Sequence, residues 1–137
     1  MALNSALLKV SARFGRPLRV MVVDDDRDTV QTLGILFRSE GAEVCLVEKS
    51  TKALAIAQDF QPDIVLLDIG MPDRNGYQVA EDLRKRFGAQ GPTLVAVSAY
   101  TSLADKCQAR VSGFDHYIEK PYNFSAVVNF VAGMKPR

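Results

Sequence analysis

The chain has 137 residues, 47% of them hydrophobic and 24% charged, with a formal net charge of +1. That composition suits one globular domain able to bury a core without staples, and it argues against disorder for most of the chain. It also excludes a global charge for binding nucleic acid or inserting at an anionic membrane. Cys45 and Cys107 stand in no CxxC or metal-ligand spacing, which reads as reduced structural thiols in a cytoplasmic protein. No apolar run reaches the ~18 residues of a membrane span. Met1 to Val10 holds too short an apolar part, broken by Lys9, for a signal peptide.

In chain order, residues 1–17 stand outside the regular pattern. Leu3, Ala6, Leu7 and Val10 form a small amphipathic stripe, read either as a disordered leader or as the end of a helix from a larger parent. Arg19 to Val23 reads as the first strand, ending in the acidic run Asp24-Asp25-Asp26. A helix follows from about Asp28 to Glu40, with Gly41 at the expected C-terminal cap. The second strand spans about Glu43 to Val47. Ser50 is the expected N-cap of a helix running to about Asp59. Ile64 to Leu67, continuously apolar, reads as a strand buried on both faces and stopping at Asp68. The loop Gly70 to Gly76 is dense in turn residues. Helix Tyr77–Phe87, strand Thr93–Val97 and a weaker helix Leu103–Val111 come next, with Gly113 closing the last. A short strand around Tyr117–Glu119 ends at Lys120-Pro121, and Asn123 is placed to cap a final helix through about Val131.

Five strands alternating with five helices predict an α/β fold: a doubly wound, five-stranded parallel sheet with helices on both faces. Residues 18–132 form the domain, followed by a tail, 133–137. Functional groups then belong just past the carboxyl ends of the strands.

Those ends are informative. The first gives Asp24 and Asp25, the third Asp68, the fourth Ser98 followed by the small Ala99, and the fifth Lys120 followed by Pro121. Three carboxylates in one pocket repel and raise each other's pKa, a conflict that a divalent cation resolves. Mg2+ takes oxygen ligands and keeps several waters. Asp25 and Asp68 are the candidate direct ligands, with the Gly70 carbonyl as a third oxygen and Asp24 acting through water. A carboxylate can also be a nucleophile toward phosphorus. Lys120 then supplies a compact positive charge and Ser98 a hydroxyl donor to a phosphoryl oxygen. Taken singly, the acidic run is equally a solvated helix start, Lys120 a surface lysine, and the sole histidine, His116, an exposed structural residue.

The segments Val22-Val23-Asp24-Asp25, Leu67-Asp68-Ile69-Gly70-Met71-Pro72, Val97-Ser98-Ala99 and Ile118-Glu119-Lys120-Pro121 together resemble the signature of response-regulator receiver domains of two-component signalling. The resemblance covers about residues 18–132. It implies a flavodoxin-like fold with strand order 2-1-3-4-5. It also implies Mg2+-dependent phosphoryl transfer from a histidine kinase or histidine phosphotransfer protein to Asp68, in a signalling switch rather than an enzyme. Tyr117 matches the family's switch aromatic, turning inward as Ser98 is drawn toward the phosphoryl group. The face of the fourth helix, fifth strand and fifth helix would then change for a protein effector or a second copy of the chain. Two positions depart from the commonest pattern: Ser98 stands for Thr, and Gly70 stands where a side chain often tunes phosphoryl lifetime.

Other readings stay in view. The chain could be a stand-alone regulator or the receiver of a hybrid histidine kinase or phosphorelay. A phosphatase using an aspartyl nucleophile often carries a second acid two residues on, a role Gly70 cannot fill. A pseudo-receiver working without phosphate is opposed by the intact set Asp25, Asp68 and Lys120.

Overall fold

A computed structural model describes residues 15–134. The leader stripe from Leu3 to Val10 and tail residues 135–137 lie outside the described residues. The elements in order are β1 (Arg19–Val23), α1 (Arg27–Ser39), β2 (Glu43–Val47), α2 (Ala53–Phe60), β3 (Ile64–Asp68), α3 (Gly76–Phe87), β4 (Thr93–Ser98), α4 (Leu103–Ser112), β5 (His116–Glu119) and α5 (Phe124–Ala132). The strands form one parallel sheet in the order β2-β1-β3-β4-β5. The alternating architecture and the 2-1-3-4-5 order are therefore both as expected.

The side-chain alternation of the strands divides the core in two. Val20, Val22, Leu66, Val95 and Val97 face α1 and α5, where they meet Val30, Leu33, Phe37, Val127 and Val131. Met21, Val23, Val65, Leu67, Leu94 and Ala96 face the other way, onto Ala53 and Ala57 of α2, Val79, Ala80 and Leu83 of α3, and Ala109 of α4. The three central strands are buried on both faces, which is why their sequences run apolar without a polar alternate. Each fully buried Val, Leu or Phe side chain contributes about 1.5–3 kcal/mol. Met134 also packs into the α1–α5 layer. Among the described residues no helix is long and apolar enough to cross a membrane.

Helix starts follow their capping residues. The Asn123 side chain accepts from the Ala126 amide at 3.1 Å, as expected. Asn75 caps α3 by accepting from Gln78 N at 3.0 Å, and Ser102 with Asp105 forms a capping box on α4. Gly113 ends α4 at φ +116°, a left-handed conformation in which a side chain would be strained.

One expected cap is absent. Ser50 does not cap α2: it opens a one-turn 3-10 segment, Ser50–Lys52, and Lys52 precedes α2 without a side-chain cap bond. The Ser50 hydroxyl is engaged elsewhere, by Asp73 and the Arg74 carbonyl from a loop 23 and 24 residues away.

Candidate functional site

The sheet ladder runs one step past the strands at its carboxyl edge. The Asp24 amide donates to the Val47 carbonyl at 3.0 Å, Ile69 N to Val97 O at 3.1 Å, and Lys120 N to Ser98 O at 2.9 Å. These bonds fix the strand-tip residues at a common level, which is how side chains so far apart in sequence converge.

Asp68 is the last residue of β3 and is buried. Its Oδ1 accepts from the Gly70 amide at 3.1 Å, and its Oδ2 lies 3.4 Å from Lys120 Nζ. Asp24 is also buried. Its Oδ1 accepts from Asp26 N at 2.9 Å, and its Oδ2 stands 3.7 Å from the same ammonium. Asp25 is exposed. Carboxylate oxygens of Asp24, Asp25 and Asp68 all lie within 4.8 Å of one another. Burial, helped by the charges of Asp68 and Asp25, raises the Asp24 carboxyl to about 6, against the opposing pull of the Asp26 amide and Lys120. Negative charge thus exceeds what Lys120 alone can answer.

Ser98 ends β4 and is 1% exposed. Its Oγ accepts from the Tyr100 amide at 2.9 Å, a bond that leaves the hydroxyl proton free to be donated. Lys120 is followed by a cis bond to Pro121. Beside Ala99 and Lys120 lies an open cleft, also lined by Asp26, Thr29, Tyr122 and Phe124.

Tyr117 is half-buried on β5, and its hydroxyl donates to the Tyr100 carbonyl. His116 is exposed and packs edge-on against Phe130, with ring centroids 5.4 Å apart. Asp26 sits at the N-cap position of α1 without making a side-chain cap bond. Its carboxylate accepts from the Thr29 hydroxyl instead.

Two aromatic residues at the site escaped the sequence reading. The Tyr100 ring comes within 3.9 Å of where a Gly70 side chain would begin, so it flanks the gap that glycine leaves. The Tyr122 hydroxyl is pushed up to about 12 by burial and by Asp24, Asp68 and Asp26. Each stands two residues beyond a strand-tip residue, Ser98 or Lys120, and that spacing was the available signal.

The family model of the response regulator receiver domain matches residues 20–132. The chain belongs to that family. This receiver is 36% identical over 104 residues to the DNA-binding response regulator MtrA of Mycobacterium tuberculosis, covering 76% of the chain but 44% of MtrA. The chain therefore spans less than half the length of that relative. It is 29% identical to Protein PilG of Pseudomonas aeruginosa over 119 residues, 87% of the chain and 88% of PilG. Among solved structures, a CheY-like receiver domain protein from Methanospirillum hungatei superposes with a TM-score of 0.77 at 27% identity, covering 84% of this chain and 90% of that one. The family places the chain in two-component signalling, and neither the phosphatase nor the pseudo-receiver reading is favoured.

Proposed function

We propose that Asp68 is the phosphoacceptor of this receiver, charged by a histidine kinase or a histidine phosphotransfer protein, and that its state is read by a protein effector on the α4–β5–α5 face. The observation that carries the reading is the placement of the buried Asp68 carboxylate between two further acids and the Lys120 ammonium, 3.4 Å away. In the transfer, an Asp68 carboxylate oxygen attacks the phosphorus of a phosphohistidine. An O–P bond forms as the N–P bond breaks, and the imidazole leaves with the electron pair and takes up a proton. Lys120 faces the developing charge, and the Ser98 proton is available to a phosphoryl oxygen.

The donor set fits a hard divalent cation: three carboxylates within 4.8 Å, two of them buried, opposed by one lysine. Asp25, Asp68 and the Gly70 carbonyl would hold Mg2+ directly and Asp24 through water. When bound, the ion neutralises charge on the phosphoryl oxygens.

The Tyr100 backbone supports the switch reading. Its N–H donates to Ser98 Oγ and its carbonyl accepts from the Tyr117 hydroxyl. Drawing the Ser98 hydroxyl toward a phosphoryl group releases that amide, and the carbonyl of the same residue anchors Tyr117. The signal is thereby a bias on a two-state equilibrium, and it ends at a surface rather than in turnover. Both cysteines are free thiols, in keeping with action in a reducing cytoplasm.

The test is incubation with Mg2+ and acetyl phosphate, followed by mass analysis. A phosphoryl group on Asp68 is expected. Wild-type protein that takes no phosphoryl group from several donors and kinases overturns the reading, and many turnovers without a lasting adduct return it to the phosphatase class.

A further inference from the structure

The β3–α3 loop that carries Gly70 is tied down from an unexpected direction. Ser50, 2% exposed, lies in the turn after β2. Its Oγ stands 2.6 Å from Asp73 Oδ1 and 2.6 Å from the Arg74 carbonyl oxygen, so one hydroxyl proton is shared between two acceptors of the loop. The other Asp73 oxygen accepts from the Thr51 amide at 3.1 Å and the Thr51 hydroxyl at 3.2 Å. These bonds, the Ser50 bond foremost, hold the Asp73 carboxyl well below the usual carboxylate range. It stays ionised and makes charge-assisted hydrogen bonds, about twice the strength of neutral ones.

The topology gives the clamp its meaning. β2 and β3 do not pair; β1 lies between them. The turn after β2 and the loop after β3 therefore meet across the end of β1, the strand that delivers Asp24 and Asp25. The loop has other ties: Gly76 N donates to Ile69 O at 2.9 Å, Met71 is buried in the core layer that includes Val23 and Val47, and Arg74 pairs with Asp82 at 2.7 Å. Among the described residues, the hydrogen bonds that tie residues 70–74 to the β1 side of the site come from Ser50 and Thr51.

We propose that Ser50 is a positioning residue for the chemistry at Asp68, acting through Asp73 to hold the β3–α3 loop so that the Gly70 carbonyl stays beside the acids as a cation ligand. The inference rests on the reading of the acidic cluster as a Mg2+ site. The experiment is titration calorimetry of Mg2+ on the metal-free full chain, at a temperature where circular dichroism shows every variant folded. Ser50→Ala is expected to weaken Mg2+ binding about tenfold, the scale seen when a partner that orients a metal's ligands is removed. Asp73→Asn, at an exposed residue, gives a smaller loss and carries the test if Ser50→Ala does not fold. The double variant binds no more weakly than the worse single one, because both remove the same link. The amides of Gly70, Met71, Asp73 and Arg74 exchange faster in Ser50→Ala. Mg2+ affinity unchanged in both single variants, whatever their Tm, overturns the positioning role while leaving the metal site intact. Wild-type protein with no Mg2+ signal, indistinguishable from Asp25→Asn, overturns the metal reading and this inference with it.

Discussion

Lys120 Nζ stands 3.4 Å from Asp68 Oδ2 and 3.7 Å from Asp24 Oδ2, so a single ammonium is shared between two buried carboxylates. The sharing is set by the backbone, since the Lys120 amide donates to the Ser98 carbonyl and carries the lysine over the edge of the sheet. Replacing Lys120 by Met removes the positive charge that both acids share. The initial rate of Asp68 phosphorylation from acetyl phosphate is expected to fall about 10²- to 10³-fold, the usual loss for one electrostatic contact to developing charge. Mg2+ binding should tighten, because a competing cation has gone. A rate within threefold of wild type would remove Lys120 from the transfer.

Asp68→Asn keeps the shape of the side chain and removes the nucleophile. No phosphoryl mass should appear on this variant under conditions that fully modify wild type. A modified peptide that maps to Asp24 or Asp25 instead would show that the acceptor had been misplaced.

Asp24 makes the metal-free protein sensitive to pH. Its carboxyl is raised from 3.8 to about 6, so between those values the folded state binds more protons than the unfolded state, and stability falls as pH rises. The penalty is absent below pH 4 and complete above about pH 6, where it amounts to about 3 kcal/mol. Urea unfolding of wild type and Asp24→Asn across pH 4–7 measures it as the difference between the two curves. Added Mg2+ should offset it at pH 7, by about 2.7 kcal/mol at a hundred times its Kd. Parallel curves for the two proteins would refute the assignment.

Gly76 admits no side chain. A Cβ there would stand 2.7 Å from the Ile69 Cα and 2.9 Å from the Asp68 carbonyl oxygen, both backbone atoms that cannot move aside. Gly76→Ala is expected to cost about 2–3 kcal/mol in chemical denaturation and to slow Asp68 phosphorylation as the loop shifts. Wild-type stability in this variant would mean that the loop yields more readily than its packing implies.

Tyr117 tests the switch. Its hydroxyl bond to the Tyr100 carbonyl links β5 to the loop after Ser98. Tyr117→Ala should accept phosphate normally yet bind its effector with little dependence on phosphorylation. Phosphorylation dependence equal to wild type would dissociate Tyr117 from signalling.

Much of this protein is legible in the chain itself. The apolar runs Ile64–Leu67 and Thr93–Val97 and the helix-period segments between them record burial locally, residue by residue. Their alternation therefore specifies a parallel doubly wound sheet, and every strand-tip residue singled out from it reaches the same edge. The Ser50 expectation shows where local reading stops. A serine before a helix is an N-cap by sequence, yet here its hydroxyl turns to Asp73 and Arg74, partners supplied only once β2 and β3 flank β1. The same holds for Tyr100 beside Gly70 and for the unequal burial of Asp24 and Asp25. The sequence by itself determined the elements and the chemistry available at their ends, because secondary-structure period and residue type are local properties. Only the tertiary structure decided which acid is buried, which ammonium answers it and which loop is held, because those depend on distances between residues that the chain alone leaves far apart.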